Sequence, residues 1–147
     1  MKRYTTKGAK DTQRLAKEIL EEAIQKAPKK GALILALEGE LGAGKTTFTQ
    51  ALAKALGVKR RILSPTFLVM KRFPLPKQSR FKNLYHIDAY RVGIMDLKVL
   101  GVEKILNEPG IVVIEWADRI KGILPKGTLW VKFEHGRQEN ERQITFN

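Results

Sequence analysis

A chain of 147 residues is long enough for one domain with a packed core and too short for two ordinary ones. It contains no cysteine, which excludes disulfides, thiolate metal sites and cysteine nucleophiles, and no apolar run approaches the roughly 20 residues that span a bilayer. Twenty-eight lysines and arginines against fifteen acidic residues leave a net charge of +13 and a pI near 10.1, an excess that attracts polyanions such as RNA. The basic residues are spread along the chain rather than packed into one arm. The N-terminal stretch is basic without an apolar segment, unlike a secretory signal, so a cytoplasmic protein with no membrane contact is expected.

Residues 11–26, DTQRLAKEILEEAIQK, place Leu15, Ile19, Leu20 and Ile24 near helical spacing, with Asp11 as the N-cap. APKKG (27–31) ends that helix. ALILALE (32–38) is a continuous apolar run, the pattern of a strand buried on both faces. After a glycine-rich loop, residues 45–56 read as a helix stopped by Gly57. TFLVMKRF (66–73) and LYHIDAY (84–90) are strand-like, joined by the polar, basic connection 74–83. DLKVLGVEKIL (96–106) reads as one short amphipathic helix, and GIVVIEW (110–116) as a second buried strand. GTLWVKFEH (127–135) and ERQITFN (141–147) form a closing hairpin. Interleaved strands and helices predict a single α/β domain over 1–147, a mixed central sheet flanked by helices.

The stretch EGELGAGKTTFT (38–49) carries the chemistry. Gly39, Gly44, Lys45 and Thr46 satisfy the phosphate-loop pattern G-x-x-x-x-G-K-[ST], with a strand before it and a helix after it, as the motif requires. Small residues let the backbone of Gly39, Glu40, Leu41, Gly42, Ala43, Gly44, Lys45, Thr46 and Thr47 bend around phosphates. The N–H groups from about Gly42 to Thr47 then point inward, where the helix N-terminus adds positive potential. Lys45 reaches the β- and γ-phosphates, and the Thr46 hydroxyl ligates Mg²⁺. With no Asn-Lys-x-Asp pattern to read guanine, ATP is the expected nucleotide.

Such a site also needs an acid for the metal and a group to position the attacking oxygen. Glu115 and Asp88 each end an apolar strand and compete for the two roles. His86 shares a strand face with Asp88 and reads as a structural histidine. In LSPTF (63–67), Thr66 offers a hydroxyl that senses the γ-phosphate if the loop behaves as a switch.

Taken in order, GELGAGKTTF, SPTF, YHIDAYR and VIEWADR resemble the bacterial TsaE family, ATPases needed to make threonylcarbamoyladenosine at position 37 of tRNAs. The resemblance runs from about residue 11 to residue 142. It implies ATP and Mg²⁺ on Lys45 and Thr46, Glu115 as second metal ligand, Asp88 on the water or γ-phosphate, and Thr66 in a switch loop. It also implies Trp116 near the nucleotide or a partner, and Thr12 near the adenine. The implied activity is that of an accessory ATPase that docks on the TsaD–TsaB pair and is not itself the transferase. The basic connection 71–83 and the net charge exceed the family pattern and leave room for direct tRNA contact.

Two other readings stand beside it. A small phosphate-loop kinase would need an acceptor pocket and an arginine lid, for which Arg137 and Arg142 are available. An RNA-binding module with a vestigial phosphate loop would ignore ATP. No arginine is placed as a finger on the γ-phosphate, although Arg91 and Arg119 flank the acidic blocks, so the isolated chain is expected to hydrolyse ATP slowly.

Overall fold

The computed structural model describes residues 1–40, 42–62 and 69–147. Leu41 and Thr66, and the strand expected over 66–68, lie outside the described residues. The elements are β1 (Lys2–Thr6), α1 (Ala9–Gln25), β2 (Leu33–Gly39), α2 (Lys45–Ala55), β3 (Met70–Pro74), β4 (Asn83–Asp88), α3 (Ile94–Val99), α4 (Val102–Leu106), β5 (Ile111–Glu115), a 3₁₀ segment (Ala117–Ile123), β6 (Leu129–His135) and β7 (Arg142–Phe146).

The strands form one mixed sheet in the order β1-β7-β6-β2-β5-β4-β3. The four inner strands β6, β2, β5 and β4 are parallel, and β3, β7 and β1 are antiparallel to their neighbours. Alternation along these strands fills two cores. Leu35, Leu37, Val113, Leu84 and Phe133 face α1 and α2, while Ile34, Ala36, Val112, Ile114 and Ile87 face α3, α4 and the 3₁₀ segment. Both faces of β2 and β5 are therefore covered, which is why their sequences read as unbroken apolar runs.

Three local expectations are corrected. The N-cap of α1 is Gly8, not Asp11, whose carboxylate lies in the first turn and accepts from the Lys7 N–H at 3.0 Å. The single helix expected over 96–106 is two short helices, because Gly101 takes φ +80° between them, a conformation glycine adopts at little cost. The N-terminal residues, read only as a basic stretch, form β1. Four of its five residues are exposed, and Tyr4 stacks on Phe146 at 5.8 Å.

Candidate functional site

The loop between β2 and α2 opens at the C-terminal end of the parallel strands, where side chains from several elements converge. Its glycines are steric requirements. Gly39 has φ +147°, and a Cβ there would meet the Phe133 carbonyl oxygen at 2.5 Å; Gly44 caps α2 at φ +102°. Phe133 of the neighbouring β6 also packs edge-on against Phe48 of α2, with ring centroids 5.3 Å apart. Strand order thus fixes where α2 begins and which way its first N–H groups point.

Lys45 is the first residue of α2 and is 5% exposed. Its ammonium donates to the carbonyl of Gly39 and lies 3.5 Å from the centroid of the Trp116 ring. Burial pushes its pKa below the usual lysine value, against the opposing pull of Glu115, Asp118 and Asp88. Thr46 and Thr47 are half-buried and Glu40 is exposed. Ala43, buried, donates its N–H to the Glu40 carbonyl at 3.2 Å. Thr49, one turn into α2, ties its hydroxyl to the Lys45 carbonyl at 2.9 Å.

The two carboxylates come together on the sheet. Asp88 and Glu115 are register partners on β4 and β5, and they share the face that carries α2. Glu115 is 3% exposed and half of its carboxylate is engaged: Oε2 lies 2.5 Å from Nε2 of the fully buried His86. The other ring nitrogen, Nδ1, has no partner. A proton on Nε2 satisfies the pair and leaves Nδ1 as an unfilled acceptor, a smaller cost than an orphaned N–H. His86 therefore holds one oxygen of the Glu115 carboxylate in place. Asp88 is half-buried, and its Oδ1 accepts from the Tyr90 N–H at 2.9 Å.

Trp116 follows Glu115 in the left-handed region, φ 58° and ψ 36°, the one non-glycine residue with positive φ among the described residues. Such a conformation costs about 1–3 kcal/mol and persists where the surroundings over-determine it. Here Tyr90 packs on the indole at 4.8 Å, and the Arg119 guanidinium sits 5.6 Å from it while donating to the Tyr90 carbonyl at 2.6 Å. The same backbone turn places the Glu115 carboxylate and the Trp116 ring at the mouth of the loop.

Other sequence candidates lie elsewhere or are engaged differently. Thr12 is buried in the β1–α1 junction, its hydroxyl bonded to that of Thr6 at 3.1 Å. Arg142 reaches the phosphate loop from β7, donating to the carbonyls of Gly42 (3.0 Å), Glu139 (2.6 Å) and Glu141 (2.9 Å). It is spent on backbone rather than free to form a lid. His86 as a partner of Glu115, Asp118 beside Lys45 and Arg142 on Gly42 were not assigned from sequence. Separations of 29 and 100 residues carry no local signal for the first and last.

No group of three or more His, Asp or Glu side chains sits close enough to hold a metal by itself among the described residues. Thr46 and Glu115 offer hard oxygen donors, the kind Mg²⁺ takes one or two at a time beside phosphate oxygens and water. No helix of the described residues is long and apolar enough to cross a membrane.

A strand, a glycine loop and a helix opened by Lys45-Thr46 on a mixed sheet define an α/β domain of the phosphate-loop NTPase type. The family model for "Threonylcarbamoyl adenosine biosynthesis protein TsaE" matches residues 6–144, and the chain belongs to that family. It is 38% identical to the tRNA threonylcarbamoyladenosine biosynthesis protein TsaE of Bacillus subtilis over 113 residues, 77% of this chain and 68% of the relative. It is 33% identical to the Treponema pallidum protein of the same name over 147 residues, covering 97% and 98% of the two chains. The crystal structure of Bacillus subtilis YdiB superposes with a TM-score of 0.71 at 32% identity, covering 99% of this chain and 83% of that one.

Proposed function

We propose that the protein binds ATP with Mg²⁺ and hydrolyses it slowly, as a cytoplasmic accessory ATPase for threonylcarbamoyladenosine formation at position 37 of tRNA, and that the TsaD–TsaB pair stimulates it. The observation that carries this reading is the state of Lys45. Its ammonium is held by the Gly39 carbonyl and the Trp116 face, on the strand end that brings Glu115 and Asp88 together. A lysine so held has to be drawn off before it can serve a γ-phosphate.

In this reading Lys45 neutralises the phosphates, and the N–H groups at the start of α2 orient them. The Thr46 hydroxyl and the Glu115 carboxylate hold Mg²⁺, which supplies charge neutralisation on the phosphate oxygens. His86 keeps Glu115 aimed at the loop, and Asp88 orients the attacking water. Arg119, one of the two arginines that flank the acidic blocks, is committed to the Tyr90 carbonyl and not extended over the loop. An arginine or an ordered loop supplied by a partner is worth about 10³–10⁵ in rate at comparable sites. Docking of TsaD–TsaB is assigned that role, acting through the segment that carries Thr66.

The test is the ATP hydrolysis rate of the purified chain with and without TsaD–TsaB, with Lys45→Ala as the blank. A slow basal rate raised many-fold by the pair supports the reading. A fast basal rate indifferent to the pair, or phosphate transfer to a small acceptor, overturns it.

A further inference from the structure

The charge excess, although its basic residues are spread along the chain, is not evenly distributed, because the acids are not. Residues 41–87 hold ten lysines and arginines and no acidic residue; the other hundred positions hold eighteen basic and fifteen acidic, a surplus of only three. Eight of the ten are exposed. Among the described residues none of the ten is in a salt bridge.

The fold collects most of these charges at one end. α2 begins at the phosphate loop and runs back along the sheet, so Lys54, Lys59, Arg60 and Arg61 lie at the N-terminal end of the parallel strands. The β3–β4 connection precedes β4, parallel to β5, and so brings Lys77, Arg80 and Lys82 to the same end. Two contacts fix it there. A Cβ on Gly57 would meet the Pro76 ring at 3.1 Å, and the Arg80 guanidinium donates to the Pro28 carbonyl at 2.8 Å. The second contact joins the connection to the exposed Lys29 and Lys30 beyond α1. The result is a continuous cationic band across the ends of α1 and α2, with a cavity of about 510 Å³ lined by Lys54, Lys59, Arg60 and Arg61 together with Gln50 and Ile62. Of the acids at this end, Glu22 is held between Lys2 and Lys26, Glu108 accepts from the Tyr85 hydroxyl towards the other face, and Glu21 is exposed at the margin.

We propose that this band binds the phosphate backbone of RNA directly, at the end of the sheet opposite the nucleotide loop. Protein-binding surfaces centre on buried aromatic and apolar anchors and are poor in lysine. Among the described residues, the exposed large apolar side chains Tyr90, Met95, Val99 and Leu100 lie outside the band. A surface of exposed cations with no acid in the segment 41–87, and no large exposed apolar side chain among the described residues 54–62 and 76–82, matches a polyphosphate. Contacts of this kind read charge and spacing, not sequence. RNA held here would leave the phosphate loop open, so both ligands can be bound at once. The inference does not depend on the ATPase reading.

The experiment is fluorescence anisotropy with an unmodified tRNA transcript, titrated from about 50 to 200 mM KCl. The expected result is a dissociation constant below roughly 100 µM that weakens linearly on a log–log plot. Lys59→Gln/Arg60→Gln/Arg61→Gln should lose about tenfold or more and reduce the salt slope by about 2–3. Lys77→Gln/Lys82→Gln, at the exposed connection, should move in the same direction. The charge-matched control Lys98→Gln/Lys104→Gln/Lys121→Gln, on the other face, should change less than about threefold, and melting temperature and basal ATP hydrolysis should be unaltered in the band variants. The proposal is overturned if the wild type shows no salt-dependent binding or if the control loses as much as the band variants. It is also overturned if the band variants keep RNA affinity and lose only TsaD–TsaB, which would make the band a protein dock.

Discussion

The ammonium of Lys45 lies over the indole of Trp116, 3.5 Å from the ring centroid, and Trp116 is held there by a strained backbone and by Tyr90 and Arg119. A cation so close to an aromatic face gains about 0.5–2 kcal/mol, more when desolvated. A bound phosphate competes for the same ammonium. ATP should therefore change the environment of Trp116 and its emission. The other tryptophan, Trp130, lies on β6 under Lys121 at 5.2 Å. The expected outcome is that Trp130→Phe keeps the ATP-dependent change in fluorescence and Trp116→Phe loses it. An equal change in both variants would separate Trp116 from the loop lysine.

Lys45 should also make nucleotide affinity depend on alkaline pH. Its pKa lies below the ordinary lysine value because it is buried. The unfolded chain therefore binds the proton up to a higher pH than the folded one, and the cost of burying the charge is present in full below the folded pKa. That cost is relieved as pH rises through the folded value towards 10.5. Phosphates bind the protonated form, so ATP affinity should fall as pH rises through this depressed pKa, before an exposed lysine would titrate. Calorimetry in buffers of different ionisation enthalpy should show proton uptake on binding there. Lys45→Ala should weaken ATP binding at least about a hundredfold, an effect of about 2.7 kcal/mol or more. It should leave the melting temperature unchanged or higher, since it removes a poorly solvated charge. Unchanged ATP affinity in that variant would remove the phosphate-loop assignment.

The His86–Glu115 pair separates the roles of the two carboxylates. Glu115→Gln should reduce Mg²⁺-dependent ATP affinity and spare the Mg²⁺-free component, whereas Asp88→Asn should reduce turnover and leave affinity within about threefold. His86→Asn should act through Glu115, raising the Mg²⁺ concentration needed for half-maximal activity by about 10–100-fold, the usual effect of losing a residue that orients a metal ligand. Should Asp88→Asn carry the Mg²⁺ signature instead, the two assignments exchange.

What could be read in the sequence follows from which forces are local. The apolar runs over 32–38 and 110–116 announce β2 and β5 because burial on both faces needs no partner to be recognised. The glycine loop between β2 and α2 is legible because its glycines answer local backbone geometry. β1 is not, since four of its five residues are exposed and its order comes from pairing with β7, some 140 residues away. The break at Gly101 was visible as a glycine but outweighed by the apolar spacing around it. His86 could not be assigned to Glu115, because alternation gives the face of a side chain and not what lies on the next strand.

Gly39, where the strand turns into the loop, is the most sterically confined glycine of that loop. Two independent costs meet there. Its φ of +147° lies in a region that side chains rarely adopt, and a Cβ would be forced to 2.5 Å from the Phe133 carbonyl oxygen and 3.0 Å from the Phe133 Cβ. The obstacle is the backbone of β6, already paired in parallel with β2, so it cannot swing aside as a flexible side chain would. Relief requires β2 and β6 to part or the loop to move. Gly39→Ala should therefore destabilise the fold by about 2–3 kcal/mol, about 5–10 °C in melting temperature for a chain of this length. It should also weaken ATP binding, because a displaced loop shifts the start of α2 and the N–H groups that orient the phosphates. Gly42→Ala is the contrast. Gly42 is also left-handed, at φ +76°, but nothing lies within 4 Å of the added methyl. It should lose about 1 kcal/mol of stability from backbone strain alone. Thermal melts of the two variants test the claim directly: equal losses would mean that backbone conformation, and not the approach of β6, fixes Gly39.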